Sequence, residues 1–210
     1  GQSSDWAFAS KSIPNAHAIE INLSDSTQNF EEGIKEIHNK IQSLFGGSQL
    51  NIVGYSMGGR IGFHLMKKYP HLVNSLVMVS SNYLGITNDS ERQKRLKQDL
   101  SLLDDIKNTS DYKAFLESWY KQTLFGKFNS TELYKKKIKN IKHEHILKNK
   151  RLLKTFSIGN QEPLSNKELI SLSSKSIKYI YGSLDQKYKN IALDAPHFIK
   201  SYEINASSHA

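Results

Sequence analysis

Five residues, Gly54-Tyr55-Ser56-Met57-Gly58, follow directly on the apolar run Leu50-Asn51-Ile52-Val53 and constrain this chain more than any other feature. The pattern reads as a buried strand delivering a serine onto a turn so tight that only small residues fit on either side, the G-x-S-x-G nucleophile elbow. A helix should follow, marked by Ile61, Leu65 and Met66 and ending near Pro70. Ser56 would then stand at a helix N-terminus, where unpaired N–H groups favour developing negative charge.

A chain of 210 residues with 38% hydrophobic content suits one domain with a sizeable core. It has no cysteine, which excludes a disulfide framework and a thiolate metal site. No segment approaches the roughly 20 apolar residues of a membrane span, so a cytoplasmic setting is expected. The net charge of +9 raises the question of a nucleic-acid partner. Between Tyr134 and Lys154, however, eight lysines and Arg151 face the single acid Glu144, with Tyr134, Ile138, Ile141 and Ile146 at about helical spacing. That pattern is a lysine-coated wet side of amphipathic helices, with no aromatic interleaving, and no nucleic-acid partner is expected.

Strand-like runs occur at His17–Leu23, Gln49–Tyr55, Ser75–Ser81, Ser176–Gly182 and Lys200–Asn205. Phe30, Ile34, Ile37, Ile41 and Leu44 mark an amphipathic helix between the first two, with Asn29 and Glu32 as a capping pair. Strands alternating with helices predict an α/β fold, a mostly parallel sheet with helices on both faces. From Asn88 to Asn160 the pattern is helical and charged. It is expected to be a cap, residues 88–160, inserted in a core of residues 1–87 and 161–210.

A serine nucleophile needs a base, and the base an orienting carboxylate, here expected in the order serine, acid, histidine. Asp185 lies just past the strand-like Tyr179-Ile180-Tyr181-Gly182, and His209 follows the last strand after Ala206-Ser207-Ser208. Asp194 and Glu203 fall inside a predicted helix and strand, and His64, His71, His143 and His145 on helices or the basic region. Metal ligation by His143-Glu144-His145 is not expected, because residues two apart on a helix do not face one ion.

Beyond these residues the chain resembles a family over nearly its full length: the 2-succinyl-6-hydroxy-2,4-cyclohexadiene-1-carboxylate synthases, the menaquinone-pathway branch of the alpha/beta-hydrolases. The resemblance rests on Gly1-Gln2-Ser3-Ser4-Asp5-Trp6, on Val53–Arg60, on Glu91–Arg95 with Asp99, on Phe115–Tyr120 running on to Leu124-Phe125, and on Tyr181–Tyr188. It implies a lyase that takes a proton from a cyclohexene polycarboxylate and expels pyruvate, with no cofactor and no metal. Carried over, Ser56 is the activated base, His209 takes its proton, Asp185 holds the imidazole, and the Met57 N–H is an oxyanion donor. Tyr55, Arg60 and Arg95, with Arg92 and Trp119, line the substrate site. Three substrate carboxylates call for fixed guanidinium forks, which makes Arg60 the best discriminator from an apolar esterase pocket. The alternative for Arg92 and Arg95 is an exposed helix face with partners such as Glu91 or Asp99.

Two departures from the family stand out. The chain begins beyond the first strands and the His-Gly loop that supplies a second oxyanion donor, and it ends before the closing helix, so truncation at both ends is expected. Asn160 stands where the family usually has arginine, and a cap lysine such as Lys154 could serve instead. The alternative functions are a serine hydrolase, either an esterase or a C–C bond hydrolase, acting on a small acidic metabolite, or a catalytically silent ligand-binding relative. Oligomeric state is not legible.

Overall fold

The computed structural model describes residues 3–209; Gly1 and Gln2 of the first family-like stretch, and Ala210, lie outside them. The helices in chain order are α1 (Ala7–Ser12), α2 (Phe30–Phe45), α3 (Met57–Lys68), α4 (Asp89–Asp104), α5 (Thr109–Tyr120), α6 (Glu132–Lys139), α7 (His143–Thr155), α8 (Asn166–Ser171) and α9 (Gln186–Leu193). Four strands, β1 (Leu50–Tyr55), β2 (Val73–Val79), β3 (Ser176–Gly182) and β4 (Ile199–Ile204), form one sheet in the order β1-β2-β3-β4. All three pairings are parallel. Parallel neighbours require crossovers, which α3 and α9 supply singly, whereas the whole stretch α4–α8 intervenes between β2 and β3.

The amphipathic pattern of α2 places Ile34, Ile37 and Ile41 in the core. Its start is set by Asn29, whose side chain accepts from the Glu32 N–H at 2.9 Å, while the Glu32 carboxylate reaches back to the Gln28 N–H at 2.7 Å. On the sheet, Val73, Leu76 and Met78 of β2 and Ile177, Tyr179 and Tyr181 of β3 join that core. Leu103, Ile106, Tyr112 and Ile146 form a separate cluster among α4, α5 and α7. The stretch between β2 and β3 therefore carries a small core of its own, and Ile141 packs against it.

His17–Leu23 is not a strand. The run has the β-branched and apolar residues of a strand, but two of its carbonyls go to side chains: Lys40 Nζ donates to Glu20 O at 2.5 Å and an Arg151 guanidinium nitrogen to Leu23 O at 2.7 Å. Strand propensity needs a neighbouring strand to become a ladder, and here cations from α2 and α7 take the acceptors first. Among the described residues no helix is long and apolar enough to cross a membrane.

The elbow itself departs from expectation in one respect. A Cβ on Gly54 would lie 2.4 Å from the Gly58 backbone and one on Gly59 2.7 Å from the Ser81 side chain, yet one on Gly58 meets nothing within 4 Å. The crowding thus falls before the serine and three residues after it, where strand and helix backbones cross. Gly54→Ala is expected to destabilise the fold by about 3 kcal/mol or more, because only backbone can yield. Gly58→Ala should be neutral or stabilising by up to about 1 kcal/mol, since alanine is the better helix former. Urea midpoints of the two variants check both signs.

His64, which the sequence offers as a rival base, is instead a core residue of α3, 1% exposed, edge-on to Phe30 at 4.7 Å, with neither ring nitrogen hydrogen-bonded. Burial lowers its pKa to about 4, so it is neutral in the folded state. The unfolded chain binds a proton near the usual value of about 6.5. Stability contributed by this group is therefore full above about pH 6.5 and lost as pH falls towards about 4, a total of about 3 kcal/mol. His64→Leu should flatten that part of the stability-against-pH curve, measured by denaturation at a series of pH values.

Candidate active site

Parallel register brings the C-terminal ends of all four strands to one edge. Tyr55 pairs with Val79, and Gly182 with Ile204. Ser56 lies one residue past β1 and is locked there by its N–H to Val79 O at 2.8 Å. Its backbone has φ 50 and ψ −112, a region that L-residues avoid, and the crossing at Gly54 and Gly59 holds it there. Met57 opens α3, so its N–H has no intrahelical acceptor and points where negative charge on a ligand would be favoured.

Asp185 caps α9: its Oδ1 accepts from the Tyr188 N–H at 3.5 Å. Its other oxygen, Oδ2, lies 3.0 Å from His209 Nδ1. Both side chains are buried, at 3% and 1% exposed for His209 and Asp185. The loop bearing His209 is fixed on both sides. Leu184 N–H donates to Ser207 O at 2.9 Å, His209 N–H to Leu124 O at 3.1 Å, and the Tyr55 hydroxyl to His209 O at 2.7 Å. Gly182 is needed for this approach, because a Cβ there would come 2.2 Å from Ser207 O. Burial lowers the His209 pKa against the opposing pull of Asp185, which keeps the imidazole a neutral base near pH 7.

Three aromatic rings enclose that imidazole. Tyr188 stacks on it at 4.6 Å and 23°, Tyr55 lies tilted at 5.2 Å, and Phe125 meets it edge-on at 5.6 Å. Trp119 is one ring further out, 6.1 Å from Phe125. Among the described residues no hydrogen bond joins Ser56 to His209, so the serine–histidine half of the expected relay is open while the histidine–aspartate half is closed.

The arginines separate into three environments. Arg60, on the first turn of α3, is buried and donates to Gln161 Oε1 at 3.0 Å and Phe156 O at 2.6 Å, both neutral. Gln161 is itself anchored through Nε2 to Tyr83 O at 2.8 Å. Loss of hydration lowers the Arg60 pKa to about 10, and no carboxylate among the described residues pairs with it. Arg95 Nε donates to Asp99 at 2.8 Å, the helix-face partner foreseen as its alternative, although its charge also acts on Arg60. Arg92 is neutralised at the surface by Asp89 at 2.9 Å and Glu162 at 3.2 Å.

Asn160 does not face this group, because its amide donates to Lys154 O at 2.8 Å. Lys154 lines a separate cavity of about 520 Å³ with Asp25, Lys150 and Arg151. The third cation near Arg60 is Lys187, which belongs to the family-like stretch Tyr181–Tyr188 but was given no role at the site; it lies over the Tyr188 ring at 5.4 Å. Burial first, then Arg95 and Arg60, lower its pKa. Its signal in the sequence was the spacing from Asp185, which puts residues 187 and 188 on the first turn of α9, beside the carboxylate that orients His209.

A serine on a strained strand-to-helix turn, with an acid and a histidine on later loops of the same parallel sheet edge, defines the alpha/beta hydrolases. The chain matches that fold family over residues 4–202 and belongs to it. It is similar, at 28% identity over 204 residues, to a protein of Haemophilus influenzae provisionally named 2-succinyl-6-hydroxy-2,4-cyclohexadiene-1-carboxylate synthase, covering 91% of this chain and 80% of that one. The synthase of the same name from Yersinia pestis is 24% identical over 201 residues, with 91% and 71% covered. Among solved structures, MenH from S. aureus superposes with a TM-score of 0.77 at 19% identity, over all of this chain and 82% of that one.

Proposed function

We propose that this chain eliminates pyruvate from 2-succinyl-5-enolpyruvyl-6-hydroxy-3-cyclohexene-1-carboxylate, giving 2-succinyl-6-hydroxy-2,4-cyclohexadiene-1-carboxylate, the compound for which its relatives are named. The observation that carries the reading is Arg60: a buried guanidinium with only neutral protein partners, four residues beyond the candidate nucleophile. Burying an unpaired cation is costly, and a polycarboxylate substrate supplies the missing counter-charge. An esterase acting on neutral esters has no use for it.

In this reading His209 accepts the Ser56 hydroxyl proton at its free ring nitrogen, with Nδ1 held by Asp185. The Ser56 oxygen takes the ring proton of the substrate. The C–H pair at ring carbon 2 forms the C2=C3 double bond, the C3=C4 pair moves to C4=C5 as the C5–O bond to the enolpyruvyl group breaks, and the imidazolium returns its proton to the departing enolate carbon, giving pyruvate. The Met57 N–H faces the negative charge that develops on the substrate. Arg60, Arg95 and Lys187 hold carboxylates, Tyr55 fixes the His209 loop, and Trp119 closes the aromatic wall; Arg92 serves the surface of α4. Residues 88–160 act as the cap over a core of residues 1–87 and 161–210, in the cytoplasm.

The test is pyruvate release from the enolpyruvyl substrate, coupled to lactate dehydrogenase. One pyruvate per substrate consumed is expected, with no burst from activated esters. Absence of pyruvate release ends the reading, and a burst without it indicates a serine hydrolase.

A further inference from the structure

We infer that Gln161 is a positioning residue that sets the carboxylate preference of the site: it holds the Arg60 guanidinium through a neutral acceptor, so that the charge is left for the substrate. The inference rests on the reading of Arg60 as a carboxylate anchor.

The turn that follows α7 reaches Arg60 from both of its ends. It is closed by the Asn160 N–H to Ser157 O at 3.0 Å and the Gln161 N–H to Ile158 O at 3.3 Å. It lies so close to α4 that a Cβ on Gly159 would come 2.7 Å from the Leu96 backbone nitrogen and 2.8 Å from Arg92 O. Arg60 Nη2 donates to Phe156 O at 2.6 Å, and Nη1 to Gln161 Oε1 at 3.0 Å. Phe156 and Gln161 are both buried. The Gln161 amide has one orientation open to it. Its Nε2 donates to Tyr83 O at 2.8 Å, a carbonyl that can only accept, so Oε1 must face the guanidinium, which can only donate. Gly85, at φ 84, makes room for this arrangement, because a Cβ there would lie 3.3 Å from Gln161 Nε2.

The neutrality of that acceptor decides what Arg60 can still do. A guanidinium carries five N–H donors, and the bonds to Gln161 and Phe156 engage both terminal nitrogens without cancelling the charge. Glutamate has the same reach as glutamine but would satisfy the cation inside the protein. Asp99, an acid whose charge reaches Arg60, is already engaged at both oxygens: Oδ1 accepts from Arg95 Nε at 2.8 Å and Oδ2 from Ser157 Oγ at 2.6 Å. One turn therefore offers Arg60 two neutral oxygens and, through Ser157, ties that acid beside Arg95.

The experiment measures KM and kcat for pyruvate release in wild type, Gln161→Glu and Gln161→Met, each also in an Arg60→Ala background. Gln161→Glu sets a carboxylate against Arg60, and KM is expected to rise about thirtyfold to a hundredfold with kcat changed less than about threefold. Gln161→Met keeps the volume and releases one side of the guanidinium, and KM should rise about tenfold. In the Arg60→Ala background neither substitution should move KM more than about threefold, which a general loosening of the turn would not produce. A Gln161→Glu variant with wild-type KM, or equal losses in both backgrounds, overturns the proposal. Should unfolding curves show that Gln161→Glu does not fold, the Gln161→Met cycle decides alone. Should wild type release no pyruvate, the lyase reading falls, and calorimetry with propane-1,2,3-tricarboxylate decides in its place. Binding by wild type that is lost in Gln161→Glu supports the role of Gln161; equal binding, or none by wild type, overturns it.

Discussion

Ser56→Ala is expected to lower kcat for pyruvate release by at least about 10³-fold while leaving the fold intact. The reason for the loss is that Ser56 stands on the turn between β1 and α3, while the neighbouring hydroxyl, that of Tyr55, is engaged with His209 O at 2.7 Å. The reason for the intact fold is equally local. The strain at φ 50 belongs to the backbone, imposed by Gly54 and Gly59 packing across the turn, and alanine bears it about as serine does. The Ser56 N–H to Val79 O bond is a main-chain bond and persists. Thermal unfolding and circular dichroism beside the coupled assay separate the two effects, and a variant retaining more than about a tenth of the activity would remove the serine from the chemistry.

Arg60→Ala is the second large effect, and it should appear chiefly in KM. A charge-assisted two-point contact to a carboxylate is worth up to about 3 kcal/mol, so kcat/KM should fall by about 10²-fold or more. Arg60→Lys keeps the charge and loses the planar fork, and a fall of about tenfold is expected. The same group predicts a pH effect. Its pKa is lowered to about 10, so the cation is present below that pH and substrate affinity weakens as pH rises through it. In Arg60→Lys the alkaline fall should follow the lysine. Loss of the guanidinium also leaves Phe156 O and Gln161 Oε1 without their donor, so the unfolding midpoint of Arg60→Ala must be recorded.

Much of the fold was legible because its signals are local. Apolar runs of strand length and the 3.6-residue repeat of α2 depend on which residues adjoin along the chain, and β3 occupies Ser176–Gly182 as expected. His17–Leu23 misled for the same reason. Its local character is extended, but pairing is a property of neighbours, and Lys40 and Arg151 come from residues 17 or more positions away. The small-residue motif was legible, yet which glycine is essential was not, since that depends on where β1 and α3 cross. Asp185 and His209 were expected from the order of loops after strands, and the two meet at 3.0 Å, whereas Glu203 pairs with Lys189 at 2.9 Å and His64 is a core ring. Lys187 and Tyr188 were noticed only as part of the family-like stretch and given no site role, because adjacent residues on a helix turn give no periodic signal of a shared target.

By itself the sequence determined the alternation of strand and helix, the serine at the turn, the acid and histidine that follow it, and the surplus of positive charge, because each is written in residue type and spacing. Only the tertiary structure decided which cations are buried without an acid, which acid is already taken, and which ring stacks on His209. Those outcomes depend on distances across the sheet edge between segments remote in the chain, and Coulombic and hydrogen-bond energies are set by such distances and by burial.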